Sequence, residues 1–238
     1  MAGPLIFIAF LGGLLPALLW LMFWLFEDRC EPEPKRYIFY SFIAGMILVI
    51  PIPLGSYLFG IVLPLEKLAA SYFSGTALLV AWAAIEEIFK FGAAYFAALR
   101  FRVFDEPLDA VIYLVTVALG FSAAENMLFL LGPLQEGNTL QAVATGNLRF
   151  MGATLLHTLS SATIGIMLAL SFYKGVSARR MAAFGGVILA VLLHSVFNFF
   201  ILNRDGDVTF WVFLAVWFGI VAVLLFIERI KHPARDYC

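Results

Sequence analysis

Three ionisable residues stand close together in an otherwise apolar run, Ala81-Trp82-Ala83-Ala84-Ile85-Glu86-Glu87-Ile88-Phe89-Lys90. Further along come Phe121-Ser122-Ala123-Ala124-Glu125-Asn126, His157-Thr158-Leu159-Ser160-Ser161 and His194-Ser195-Val196-Phe197-Asn198. Carboxylates, imidazoles and an amide are the groups that hydrolytic chemistry needs. A glutamate in a low-dielectric site is pushed toward neutrality, so it can take a proton from water and return it to a leaving amine. Histidine and asparagine can hold that water or donate to a developing oxyanion. On this reading the candidate catalytic residues are Glu86, Glu87, Lys90, Glu125, His157, His194 and Asn198. Glu86 is the first choice of base, and Glu87 or Lys90 fixes its charge and orientation. Ser161 and Ser195 sit beside histidines, but no distinct nucleophile setting marks either one.

At 100° per residue Glu86 and Lys90 lie about 40° apart on a helix, with Glu87 about 60° beyond, so one stripe carries all three. Ala83, Ala93, Ala94 and Ala97 share that side and allow close approach of neighbouring helices. A purely structural Glu86–Lys90 pair at i,i+4 is the bland alternative. It does not account for a second carboxylate beside the pair, since each charge costs about 2.5 kcal/mol or more at mid-membrane.

The elements that must position these groups are transmembrane helices. Apolar residues make up 63% of the 238, charged residues 13%, and mean hydropathy is +0.98, far from the composition of a soluble domain. The net charge of −1 gives no basic footprint for nucleic acid. Runs of about 20 apolar residues suffice to cross a bilayer. Seven are read: Pro4 to Phe26, Tyr37 to Leu63, Thr76 to Leu99, Leu108 to Leu131, Phe150 to Tyr173, Met181 to Leu202 and Val208 to Ile227. Pro51, Pro53 and Gly55 interrupt the second and could kink or end it. The expected fold is all-α, a polytopic bundle forming a single membrane domain over 1–238, with its motif-bearing core at 76–202.

Lys and Arg fall unevenly between alternate loops. One side holds Arg29, Lys35, Arg36, Arg100, Arg102, Lys174, Arg179, Arg180, Arg229, Lys231 and Arg235, the other Lys67, Arg149 and Arg204. This bias places the N-terminus outside and the C-terminus in the cytoplasm. Cys30 and Cys238 then face a reducing compartment and carry no reactive-site pattern. Arg149 is read as an interfacial anchor, or a partner for lipid or substrate carboxylates, and the loop from Gly132 to Asn147 as a connector or a cover. Counting about 1.5 Å per residue from the outer helix ends puts Glu86 about 15 Å deep, Glu125 about 9 Å, His157 about 10 Å and His194 about 12 Å. Four helices running in alternate directions thus bring their polar residues to one layer, which implies a single cavity in the outer half of the membrane.

Taken in order, Glu86-Glu87-x-x-Lys90, Asp109-Ala110 followed by Phe121-x-x-x-Glu125-Asn126, the run from Arg149 to His157 with Ser161, and His194-x-x-x-Asn198 resemble the motifs of the PrsW intramembrane proteases. These share a clan with the CAAX prenyl endopeptidases, which carry a longer Glu-Glu-x-x-x-Arg motif and a His where Glu125 stands. The resemblance covers about half of the chain. It implies a protease of the cell membrane that cuts single-pass, membrane-anchored proteins near the extracytoplasmic side, including regulated cleavage of anti-sigma factors.

Three glutamates against Lys90 leave a charge of −2 if both histidines are neutral. Protons on the carboxyls or a zinc ion would balance it, with Glu86, Glu125, His157 and His194 as candidate ligands. The expectation favours a metal-free, glutamate-activated water. An ion-coupled transporter would also hold buried charges, but no pair of similar halves is evident. A non-catalytic scaffold is the third reading, since the same clan resembles the scaffold subunit of gamma-secretase.

Overall fold

The computed structural model describes residues 2–27, 32–49, 52–54, 57–59, 62–203 and 206–230. Helices dominate: α1 (Ala2–Glu27), α2 (Lys35–Val49), α3 (Val62–Tyr72), α4 (Gly75–Ala94), α5 (Asp109–Gln135), α6 (Thr139–Leu148), α7 (Thr154–Leu170), α8 (Val176–Asn203) and α9 (Gly206–Ile230). A π-helical turn, Tyr95–Leu99, prolongs α4, and a second, Arg149–Ala153, joins α6 to α7. Two three-residue strands, β1 (Ile52–Leu54) and β2 (Tyr57–Phe59), pair antiparallel between α2 and α3. Cys30, Cys238, Pro51, Gly55, Arg29, Arg204, Lys231 and Arg235, which the sequence pattern singles out, lie outside the described residues.

Among the described residues five segments are long and apolar enough to cross a membrane: Gly3–Phe26, Asp109–Gln135, Thr139–Leu170, Val176–Leu202 and Val208–Arg229. The chain is a multi-pass integral membrane protein. The run from Tyr37 to Leu63 is not one helix, which decides what its prolines had left open. Proline at 51 and 53 removes two amide donors and disfavours helical geometry at the residue before each. The helix ends at Val49, and the chain continues as the hairpin and then the short α3. The stretch from Gly132 to Asn147, read from the sequence as a connector or a cover, is mostly helical. It finishes α5, turns at Gly137 with φ +72°, and enters α6, whose first turn is capped by Asn138 accepting from the Gln141 amide at 3.0 Å.

At the centre stands α5, buried at every residue from Asp109 to Ala124. It packs against α1, α2 and α7, and α7 in turn packs against α8. Glycine makes the tightest crossing: a Cβ at Gly120 would strike the Phe42 carbonyl, and one at Gly45 the Val117 carbonyl. Without a hydrophobic drive between helices in lipid, such close backbone contact supplies the cohesion. The same crossing fixes the rotation of α5, and with it the direction in which Phe121 and Glu125 point. At the other end of α5, Asp109 accepts from the amides of Asp105 and Glu106, each at 2.8 Å. That aspartate therefore secures the start of α5, about 24 Å of helix away from Glu125.

Candidate active site

Glu86, Glu87 and Lys90 all turn inward from α4 and are buried. Lys90 Nζ lies 2.9 Å from Glu87 Oε1, 3.3 Å from Glu86 Oε2 and 2.7 Å from His157 Nδ1 on α7. It also sits 4.2 Å from the centre of the Phe121 ring, a cation–π contact strengthened by the exclusion of water. His157 Nε2 is 2.9 Å from Glu125 Oε2, and His194 Nδ1 is 2.8 Å from Glu87 Oε1. Four helices, α4, α5, α7 and α8, thus contribute to one connected network.

Arg149 is more than an interfacial anchor. Its Nε donates to Asn126 Oδ1, and an Nη pairs with Glu125. Asn126 also donates to Thr154 Oγ1 at 3.0 Å. A π-helical turn beginning at Arg149 is what brings its side chain back over α5, a kind of irregularity frequent at functional sites.

A cavity of about 720 Å³ opens onto this network, lined by Glu66, Glu86, Glu125, Arg149, His157, His194 and Asn198 among apolar side chains. Glu87 and Lys90 are fully buried and do not line it. Glu125 and Arg149 keep 20% and 14% of their side-chain surface exposed, so the polar wall is wettest on their side. Glu86 Oε2 stands at the cavity between the two rings, 3.8 Å from His157 Nδ1 and 3.9 Å from His194 Nε2.

Every residue singled out from the sequence as a catalytic candidate thus falls on the cavity wall or directly behind it. The two serines do not line it. Ser195 Oγ donates to the Val191 carbonyl at 2.6 Å, and the buried Ser161 Oγ has no hydrogen-bond partner among the described residues.

One ionisable cavity residue, Glu66, is absent from the sequence reading. Glu66 projects from α3, its backbone carbonyl held by the Trp82 indole at 3.1 Å and its carboxyl within hydrogen-bonding reach of Glu86. Its only sequence signal is a lone acid in a short amphipathic stretch after a broken apolar run.

Glu86, Glu87, His157 and His194 each offer one ligand atom, all within 4.8 Å of one another. Two imidazoles and two carboxylates form a donor set that suits zinc, and Glu87 Oε2 is buried with no partner among the described residues. The set fits a divalent ion. Glu125 is not in it, because it is turned toward Arg149 and the far nitrogen of His157. Lys90 already bonds three of the four candidate ligands, so its ammonium and a dication are alternatives for one place.

A profile described as PrsW family intramembrane metalloprotease matches residues 33–226. The chain is 28% identical to Protease PrsW of Geobacillus kaustophilus, over 94% of this chain and 92% of that protein. It is 26% identical to Protease PrsW of Bacillus subtilis, covering 88% and 91%, and 29% identical to that of Clostridioides difficile, covering 81% and 79%. No solved structure matches the chain.

Proposed function

The chain belongs to the PrsW family of intramembrane proteases, and from that premise we propose that Glu86 is the general base that activates water against a peptide bond held in the cavity. The observation that carries this is the position of the Glu86 carboxylate at the cavity wall, flanked by the nitrogens of His157 and His194.

The geometry divides the labour. His194 Nδ1 donates to Glu87, which leaves Nε2 unprotonated beside Glu86, where it can accept a hydrogen from the same water and aim it. Glu86 takes a proton as the water oxygen attacks the carbonyl carbon. The Asn198 amide and an Arg149 N–H not committed to Glu125 or Asn126 are the donors on the wall that can face the resulting oxyanion. When the C–N bond breaks, the proton on Glu86 passes to the leaving amine. Glu87 and Lys90 stay behind the wall and hold Glu86 and the imidazoles in register.

In this reading the ammonium of Lys90 serves as the structural cation of the network. Were zinc bound instead, Glu86, Glu87, His157 and His194 would hold it, and it would supply Lewis acidity and an activated water.

Seven crossings with an external N-terminus fit the same picture. Besides the five apolar spans, α4 with its π turn is long enough to cross while carrying the charges of the site. Helix α2 is about 22 Å long and ends at Val49 on the cavity. The Lys and Arg bias puts the cavity in the outer half of the membrane. The substrates are then membrane-anchored proteins cut near their extracytoplasmic ends, anti-sigma factors among them. Cleavage of a reconstituted single-pass protein by wild type, with none by Glu86→Gln, is the test.

A further inference from the structure

Among the described residues two cations belong to the polar wall and its backing, and both are committed. Lys90 is bonded to Glu86, Glu87 and His157, and Arg149 to Glu125 and Asn126. Glu66 differs from the other carboxylates in this respect. Among the described residues no cation lies within ion-pair distance of it. It nevertheless faces the cavity, half-buried among Val62, Leu63 and Trp82, with its helix pinned by the indole of Trp82. Four carboxyls face two cations in the network, and Glu66 is the one with no cation beside it among the described residues. A cavity carboxyl with no cation beside it among the described residues disfavours an acidic ligand group and favours a cationic one, a discrimination that governs specificity more than total affinity.

We propose that Glu66 is a specificity determinant of the protease: it receives a lysine or arginine side chain of the substrate within about two residues of the scissile bond. This rests on the reading of the cavity as the place where substrate is cut. The short range follows from geometry, because Glu66 is in hydrogen-bonding reach of Glu86 and an extended chain advances about 3.3–3.6 Å per residue. The apolar remainder of the wall, including Leu128, Phe129, Leu156 and Phe197, accepts the neighbouring side chains. A basic residue at the outer end of a transmembrane segment is uncommon, since basic residues gather on the cytoplasmic side. Recognition of one would therefore separate substrates from most other single-pass proteins.

The experiment measures binding apart from cleavage. Single-pass peptides with a leucine–alanine core carry Lys, Gln or Glu at successive positions across the outer end of the core. They are incorporated with the Glu86→Gln protein into phosphatidylethanolamine/phosphatidylglycerol vesicles, and affinity is read by energy transfer. At one or two adjacent positions the Lys peptide should bind about tenfold more tightly than the Glu peptide. Adding Glu66→Gln should erase that difference, and adding Glu66→Lys should reverse it. Equal binding of all three peptides at every position, or the same order of affinity in the Glu66→Gln background, would overturn the assignment. Peptides bound in the expected order but never cut by wild type would sustain the role of Glu66 and count against the catalytic reading instead.

Discussion

Lys90 Nζ lies 2.7 Å from His157 Nδ1, and this contact sets the proton on the imidazole. An ammonium only donates, so Nδ1 accepts and the ring proton stands on Nε2, where Glu125 Oε2 receives it at 2.9 Å. With both ring nitrogens engaged, His157 is a rigid bridge between α4 and α5, and His194 is left as the histidine that presents a free lone pair beside Glu86.

Lys90 and Glu87 should therefore matter first to folding. Each is fully buried, and removing one partner leaves an unpaired charge in a dry interior, a loss of about 3–5 kcal/mol. Lys90→Met and Glu87→Gln should lower the melting temperature in detergent clearly, where Glu86→Gln, at the cavity wall, lowers it little. Equal stability of all three would remove Lys90 and Glu87 from this structural role.

Arg149 should affect turnover more than stability. It holds Glu125 and Asn126 at once through a planar guanidinium, a geometry that lysine cannot copy. Arg149→Gln is expected to lower kcat by about tenfold or more, and Arg149→Lys to restore only part of it. Kinetics on one reconstituted substrate decide this, and full activity of Arg149→Lys would reduce the residue to a simple counter-charge.

Gly120 should tolerate nothing larger. A Cβ there meets the Phe42 backbone rather than a movable side chain, so Gly120→Ala forces α2 and α5 apart, at a cost of about 1–3 kcal/mol or more. Loss of yield and of thermal stability in Gly120→Ala, beside an unaffected Gly132→Ala where a Cβ meets nothing within 4 Å, would show the effect.

Much of the site is legible in the sequence because helix rise converts residue number into depth. Glu86, Glu125, His157 and His194 fall in one layer by that count, and the structure joins them through Lys90 and Glu87. The inward reach of Arg149 is not legible, because its direction depends on a π-helical turn, which shifts the phase that a regular helix would give. Glu66 stays hidden for a different reason: α3 follows a break, and hydropathy cannot tell where a short helix after a hairpin folds back. The break itself is visible in Pro51 and Pro53, although not the hairpin that replaces the helix.

Metal content separates the two ways of balancing the site. Since Lys90 bonds three of the four candidate ligands, purified active protein should hold much less than one zinc per chain, and chelators should leave proteolysis largely intact. Near-stoichiometric zinc, with activity lost on its removal and regained on its return, would make the histidines ligands and require Lys90 to move aside.

Proteolysis by purified protein in liposomes with a single-pass substrate, wild type beside Glu86→Gln, bears most directly on the role of the Glu86 carboxylate. Wild type should release a product whose new end, located by mass spectrometry, lies in the outer third of the transmembrane segment or just beyond it, and Glu86→Gln should fold, bind substrate and release none. A Glu86→Gln protein that cuts at the wild-type rate, or a wild-type cut near the cytoplasmic boundary, would contradict the placement of the base and of the cavity.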